Sequence, residues 1–362
     1  AVKLRSDYLP ARVALGQLTL QQREFGKANQ MAQEILALDA NHAGAHLLRS
    51  RALLGMGQVK QARAELTQTA EQFPQLSEAR LHIAGLDLQE RNFKAAEDGF
   101  RKLLAERRDP RAFLGLMDSY IGQGQVDTAK KLLKEEIARH PERMEYRFAM
   151  AALNTRTNDL NGAMLDYKSI LAADPKNATA WLRISDLHRR TGDLGASIEA
   201  GRKAQELAPN TVSPHLQLAL LYEGAGKRIE ARPMYEQVLK LQPSNVIALN
   251  NLAYILAENG TDLDQALTMA QQARQMFPND LNIADTLGWI YIKKNLPDSA
   301  ISILRDIIQK QPQRATYHYH LAMALFQKGD RASAKKSCEV ALSQKPSKAE
   351  EDQIRELMSK IG

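Results

Sequence analysis

Apolar and polar positions recur along the chain with a fixed spacing. Leu252-Ala253-Tyr254, Leu287-Gly288-Trp289 and Leu321-Ala322 are each an aliphatic residue followed by a small one, and they stand 35 and then 34 residues apart. The run around the middle one, Ala284 to Asn295, begins with Asp285 next to its first residue and ends in two lysines and an asparagine. Its apolar part is far shorter than the roughly 20 residues that cross a bilayer, so it is one instance of a repeat and not a membrane span. Prolines keep the same beat. Pro141, Pro175, Pro209 and Pro243 are 34 residues apart, as are Pro278, Pro312 and Pro346, with a single step of 35 between Pro243 and Pro278.

Between successive prolines the pattern predicts two amphipathic helices joined by a Gly or Asn turn. The second helix carries a small residue at one fixed place: Ala28, Ala62, Ala96, Ala129, Ala163, Ser197, Ala231, Ala266, Ala300 and Ala334. The first helix has its own small set, Gly16, Ala84, Ala151, Ala219, Ala253, Gly288 and Ala322. Such positions let antiparallel helices approach closely, and a larger side chain there costs about 1–3 kcal/mol by overpacking. Gly57, Gly124, Gly192, Gly226, Gly260 and Gly329 suit the left-handed residue that ends a helix, and Asp159, Asp193 and Asp330 suit the cap of the next one. Pro297 falls near a helix start, where a missing amide costs nothing, whereas Pro233 falls deeper and predicts a local kink.

This Leu-Gly, Tyr, Ala, Phe/Tyr, Pro pattern resembles the tetratricopeptide repeat family over nearly the whole chain. The resemblance implies an all-α fold: a TPR-type α-solenoid, a right-handed superhelix of antiparallel helix pairs. Ten repeats are read at 9-42, 43-76, 77-109, 110-143, 144-177, 178-211, 212-245, 246-280, 281-314 and 315-348. The third is one residue short and has Arg108 in place of the usual proline; the eighth has one extra residue around Thr261 to Asp264. Asp87 and Asn154 stand where the family prefers an aromatic or apolar side chain. Residues 1-8, "AVKLRSDY", align with "VLKLQPSN" at 238 to 245 and read as the end of a preceding repeat, so a longer natural N-terminus is expected. Residues 349-362 carry a stripe of Ile354, Leu357, Met358 and Ile361 and read as a capping helix, as the end of a solenoid requires.

Composition adds little to this picture but narrows the function. The chain has 362 residues, 44% hydrophobic and only 6% aromatic, with a net charge of +7. Its basic residues are interspersed with acids, so the clustered stripe that nucleic acid binding needs is missing, and nucleic acid is not an expected partner. No cofactor is implied. The single Cys338 is read as core. His42 and His46 lack a third ligand, and His318 and His320 point to different helix faces, so neither pair reads as a metal site. No nucleophile elbow or phosphate-binding glycine loop is present, and the chain is read as non-enzymatic.

In the resembled family the first helices line a concave groove. Carrying those positions over gives a cationic group, Arg156, Arg183, Arg189 and Arg190 with Asp186 among them. It also gives an aromatic, amide-rich group: Asn250, Asn251, Tyr254, Asp285, Trp289, Lys293, Tyr319, His320, Met323 and Phe326. Amides and aromatics suit an extended peptide, and arginines suit carboxylate or phosphate. Packing between adjacent repeats is the competing reading for the aromatics, and a solvated, internally paired face for the arginines. Asn251 resembles one asparagine of the carboxylate clamp of chaperone-binding relatives, but the rest of that clamp is not reproduced. On this reading, replacing Asn251 and Trp289 by Ala weakens partner capture and leaves unfolding little changed.

The expected function is a scaffold for protein or peptide partners. The long, degenerate repeats resemble bacterial multi-repeat proteins, including those associated with exopolysaccharide export, which implies an envelope setting. Two alternatives stand beside it: the substrate-recruiting region of a larger enzyme such as a glycosyltransferase, and a basic surface for an anionic polymer, which predicts strongly salt-dependent binding.

Overall fold

The computed structural model describes residues 8–260 and 262–362. Every regular element among them is a helix. The protein divides into two compact units, residues 1–166 and 167–362. In the first unit the helices follow as α1 (Leu9–Gln21), α2 (Phe25–Leu38), α3 (Ala43–Gly55), α4 (Val59–Gln72), α5 (Ser77–Gln89), α6 (Phe93–Glu106), α7 (Pro110–Gly122), α8 (Val126–Arg139) and α9 (Met144–Arg156). Helix α10 (Leu160–Ala173) contains the boundary. The second unit continues with α11 (Ala178–Arg190), α12 (Leu194–Leu207), α13 (Val212–Gly224), α14 (Arg228–Leu241), α15 (Val246–Glu258), α16 (Leu263–Met276), α17 (Leu281–Lys293), α18 (Pro297–Lys310), α19 (Ala315–Gln327), α20 (Arg331–Ser343) and α21 (Lys348–Ile361). Within each unit, helices consecutive in sequence pack on one another, and alternate first helices touch as well, as α15 does α17 and α17 does α19. The reading of residues 1-8 as the end of a preceding repeat falls, apart from Tyr8 at the start of α1, outside the described residues.

The second-helix position predicted to be small is closed to solvent in all ten pairs: Ala28, Ala62, Ala96, Ala129, Ala163, Ser197, Ala231, Ala266, Ala300 and Ala334 are each 0% exposed. On the first helix, a Cβ added to Gly288 would lie 3.1 Å from Cγ of Leu304. One added to Gly16 would lie 2.3 Å from Cδ2 of Leu48 on α3, so that glycine serves the contact with the next first helix and not the crossing inside its own pair. Where both crossing positions are serine, the hydroxyls are satisfied reciprocally: Ser185 Oγ donates to the Ser197 carbonyl at 2.7 Å, and Ser197 Oγ to the Ser185 carbonyl at 2.8 Å.

The turn inside the pairs is built alike, except that the eighth has a second left-handed residue, Asp262. Its left-handed residue is glycine at 57, 124, 192, 226, 260 and 329, asparagine at 158 and 295, and arginine at 23 and 91. In the nine other pairs the amide of the following residue reaches back five positions, as Gln125 does to Tyr120 O at 2.8 Å and Asp193 to His188 O at 2.9 Å, which satisfies a carbonyl the helix end leaves open. Asp159, Asp193 and Asp330 cap the next helix by accepting from Gly162, Ala196 and Ser333 at 2.9, 2.9 and 3.0 Å. Helix α14 continues through Pro233; Ile229, whose carbonyl loses its usual partner there, is 84% exposed, so water can serve that group.

A recurring bond that the period alone did not reveal ties some first helices to the turn before them. The side chain of their fourth residue meets the carbonyl six positions back: His46 Nε2 with Ala40 O at 3.0 Å, Trp181 Nε1 with Pro175 O at 3.1 Å, His215 Nε2 with Pro209 O at 2.8 Å and His318 Nε2 with Pro312 O at 2.7 Å. His42 accepts from the Ala45 amide at 3.2 Å as the cap of α3. These histidines are therefore structural. Cys338 is fully buried, and burial pushes its thiol up to about 11. Helix α21 begins with a capping box between Ser347 and Glu350 and lays Ile354, Leu357 and Ile361 into the same apolar cluster as α19 and α20.

Candidate partner-binding surface

The sequence candidates lie on the first helices of their pairs, and the structure separates them. Arg156 belongs to the first unit, on α9. Its charge acts on Asp118 of α7, whose carboxyl is held above the usual range chiefly by burial, with Arg156 pulling it back down. The other candidates lie in the second unit.

On α11, Arg183, Arg189 and Arg190 are exposed. Asp186 accepts from Arg189 at 2.5 Å and from Arg190 at 2.9 Å, both along the same helix face, while Arg183 forms no ion pair among the described residues. Beside this group an open cleft of about 540 Å³ runs between α11 and α13, lined by Asp186, Arg189, Ser213, Leu216, Gln217, Leu220 and Leu221. Gln217 ties the two helices by donating to Leu182 O at 3.3 Å and to Ser185 Oγ at 3.1 Å. Leu220 is 43% exposed on its wall. Cationic groups that keep free donors, set beside an apolar notch, can take a partner's carboxylate together with an aliphatic side chain.

The aromatic group is arranged differently. Trp289 on α17 is only 6% exposed. Its ring stacks on His320 of α19 at 4.6 Å, and Lys293 Nζ stands 4.6 Å from its centroid. Trp289 Nε1 donates to Glu258 of α15 at 2.8 Å; Glu258 in turn meets Arg228 at 3.2 Å and Lys293 at 3.7 Å. The Arg228 guanidinium also lies 5.4 Å from the Tyr254 ring. His320 Nδ1 meets Asp285 of α17 at 2.7 Å and touches Tyr319 at a ring distance of 5.8 Å. Burial, followed by the Glu258 carboxylate, pushes the Tyr254 hydroxyl up to about 12. These candidates thus partner one another or the unpredicted Arg228 and Glu258, in a network spanning α14 to α19. Met323 and Phe326 are half-buried against the core, with Arg331 lying 5.9 Å from the Phe326 ring.

Asn251, which had no evident packing task in the sequence, has one in the structure. Its amide donates to Glu223 at 2.8 Å and to Tyr235 Oη at 2.9 Å, Tyr235 donates to the same Glu223 carboxylate, and Asn250 donates to Asn251 at 3.0 Å. Tyr235 is fully buried, and its hydroxyl is raised by that burial and by Glu223. This pins α13, α14 and α15 together. The sequence signal for Glu223 and Arg228 was only their place on helices that flank the candidates, and for Glu258 its place one turn after Tyr254 on the same helix. Pairing across 26 to 35 residues is visible only in three dimensions.

The helix pairs, their shared turn and their stacking define a helical-repeat protein. Three models described as tetratricopeptide repeat match the sequence, one at residues 19–83, 53–118 and 256–324, a second at 114–178, 157–211 and 216–280, and a third at 315–348. The chain belongs to the tetratricopeptide repeat family. It is similar to cellulose synthase operon protein C of Pseudomonas fluorescens, 25% identical over 265 residues, covering 70% of this chain and 19% of that protein. It is likewise similar to cellulose synthase 1 operon protein C of Komagataeibacter xylinus, 25% identical over 228 residues, covering 59% of this chain and 17% of that one. The chain therefore spans less than a fifth of these relatives' length. DnaJ homolog subfamily C member 3 of Gallus gallus is 23% identical over 346 residues, with 83% of this chain and 68% of that protein covered. Among solved structures, the APC/C hetero-tetramer Cut9-Hcn1 matches 96% of this chain and 74% of its own with a TM-score of 0.50 at 19% identity, a likeness of fold.

Proposed function

We propose that the protein is a non-enzymatic scaffold whose second unit grips a partner protein along its first helices. The observation that carries this reading is the group Arg183, Arg189 and Arg190, three exposed guanidiniums with one acid among them, beside the open apolar cleft at Leu216 and Leu220. The aromatic network from Tyr254 to His320 supports it by holding the neighbouring helices rigid, which lowers the entropy lost when a partner is ordered there. Asn250, Asp285, Tyr319, Met323 and Phe326 keep enough surface to extend the contact.

The relatives' names place them in cellulose synthase operons, which favours exopolysaccharide assembly in a bacterial envelope as the setting. A second reading, the recruiting region of a larger enzyme such as a glycosyltransferase, is favoured by the length of those relatives beyond the matched part. The two differ in what the full reading frame encodes.

The test is comparative capture from an extract of the source organism, with the intact protein and with a variant carrying Arg183→Glu, Arg189→Glu and Arg190→Glu. These positions are exposed, so the variant keeps its melting curve. Loss of a specific protein from the captured set supports the proposal. An unchanged set removes this surface from consideration, and binding that simply decays with salt and transfers to any polyanion indicates the basic-surface reading instead.

A further inference from the structure

The fifth helix pair puts polar side chains at two facing packing positions at once. At the position of Asn154, the fourth, seventh, eighth and tenth pairs place Tyr120, Tyr222, Leu256 and Leu325, while the third and sixth place Asp87 and His188; at the position of Asp166, the fourth, seventh, eighth and ninth place Leu132, Met234, Met269 and Ile303. The result is a cleft of about 500 Å³, inside the first unit, bounded by α8, α9 and the first turns of α10. That volume lies in the range of small-ligand pockets, on the order of 300–1,000 Å³. Placing polar groups where an array wants apolar ones costs stability, and positions that break a local rule in this way are where function is expected.

Its lining sorts into three kinds. Ile137, Met150 and Leu165 give an apolar floor, and Leu165 is 69% exposed beside it. Lys130, Lys134 and Arg147 supply three positive charges against two acids, Asp159 and Asp166. Asp159 is committed to capping Gly162 and stands 3.9 Å from Lys130. Asp166 accepts from the Asn154 amide at 2.9 Å. Lys134 and Arg147 make no hydrogen bond or ion pair among the described residues, although Arg147 is near enough to Asp166 to act on its carboxyl. Arg147 also occupies the helix position from which His46, Trp181, His215 and His318 reach the preceding carbonyl, and it makes no such bond to Pro141.

We propose that this cleft is a ligand site for a carboxylate that carries an adjacent N–H group and an aliphatic side chain. The carboxylate neutralises Lys134 and Arg147, the N–H donates to the Asp166 carboxylate or the Asn154 carbonyl, and the side chain lies on Ile137, Met150 and Leu165. The lone carboxylate of a polypeptide end balances the cleft's formal excess of one positive, whereas a free amino acid brings its carboxylate together with an ammonium that pairs with Asp166. Both the C-terminus of a polypeptide and a free amino acid present this chemistry. The site is independent of the surface on α11 and α13.

The experiment uses the 362-residue chain and a fluorescein-labelled Ala-Ala-Leu peptide with a free C-terminal carboxylate, followed by anisotropy. Saturable binding is expected, with Lys134→Ala and Arg147→Ala each weakening it by about tenfold, or about 1.4 kcal/mol, at unchanged melting temperature. Amidating the C-terminus abolishes it. Asp166→Met together with Asn154→Leu fills the cleft with the side chains other pairs use, and is expected to raise the melting temperature while eliminating binding. Unlabelled leucine competing as well as the unlabelled peptide assigns the site to a free amino acid, and failure of leucine to compete assigns it to a polypeptide end; both support the shared chemistry. No saturable binding, equal binding of the amidated peptide, or full affinity in the filled variant overturns the proposal.

Discussion

The two units are made of the same helix pairs, yet their interiors are organised differently. In residues 167–362 most of the buried apolar side chains from Ile198 to Ile361 form one continuous cluster, passed from each pair to the next by residues such as Tyr222, Leu256, Leu287 and Leu325, with only Leu249, Ala273 and Ile283 set apart in a smaller one among the described residues. In residues 1–166 the apolar contacts fall into patches, around Ala28 to Ala52, around Leu66 to Leu86, and from Ala84 to Leu153. The polar substitutions supply the physical reason. Asp87 sits where Leu256 and Leu325 do in the other unit, and pairs instead with Arg63 at 2.9 Å; Glu65 takes His46 at 2.5 Å and Arg49 at 3.0 Å; Asn154 takes Asp166. Ion pairs satisfy these groups but do not transmit packing as a shared apolar surface does, and partly exposed ones contribute little net stability. Stacked repeats unfold as a series of nearest-neighbour couplings, so the units should differ in cooperativity.

The largest expected break of this contrast is Trp289→Ala. Burial of the indole argues against the expectation that its loss leaves unfolding unchanged: truncation empties a space in the continuous cluster and removes one of the three partners of Glu258, at a cost of about 3–5 kcal/mol. Thermal unfolding followed by circular dichroism should show the second unit's transition falling well below that of the intact protein. If it holds its place, the ring is not part of the core.

A matched pair of substitutions probes the coupling itself. Ala300→Leu and Ala62→Leu insert the same excess volume at equivalent fully buried positions, each costing about 1–3 kcal/mol. Hydrogen exchange should show protection lost across several pairs on either side of residue 300, but only in α3 to α5 for residue 62. Equal spread in both units would remove the claimed difference in cooperativity.

Alkaline pH sharpens the comparison further. The Tyr254 hydroxyl titrates at about 12 in the fold against an ordinary value of about 10, because burial and Glu258 favour its neutral form. The folded state then holds a proton that the unfolded state has lost. Its contribution is complete below pH 10 and disappears as pH rises through about 12. Tyr254→Phe has no such proton to lose, so the variant and the parent should diverge in melting temperature only across that window. A constant difference at all pH values would rule out this titration.

Much of the architecture was legible because each repeat position has one steric task. The prolines, the ten small residues of the second helices and the six glycines of the turns could be read without coordinates, since period alone identifies a residue that must be small or must take positive φ. The candidate surface was legible only in part. Periodicity shows which helix face a side chain occupies, so Arg183, Arg189 and Arg190 were correctly placed on first helices. It does not reveal whether that side chain is already engaged by the neighbouring helix. Trp289, His320 and Asn251 are engaged, through Glu258, Asp285, Glu223 and Tyr235, and those pairings depend on lateral register between repeats. Nor does a period show the cost of a deviant residue: the polar Asn154 is visible in the sequence, but the cleft it opens is not.

The smallest expected effect comes from the turn that both units share. At its left-handed residue the second unit uses glycine at 192, 226, 260 and 329 and asparagine at 295, whereas the first unit uses glycine at 57 and 124, asparagine at 158 and arginine at 23 and 91. A β-carbon in this conformation costs about 1–2 kcal/mol, and glycine gives back part of the gain through its greater freedom in the unfolded state. Arg23→Gly should therefore stabilise the first unit by about 0.5–1 kcal/mol. Arg91→Gly should gain less, because the Arg91 guanidinium lies 5.9 Å from the Phe93 ring and that contact is lost with it. Denaturant titration of both variants measures the order directly. An Arg91→Gly gain equal to or above that of Arg23→Gly would show that the arginine's contact with Phe93 contributes nothing, and a loss in both would show that these turns do not strain the first unit at all.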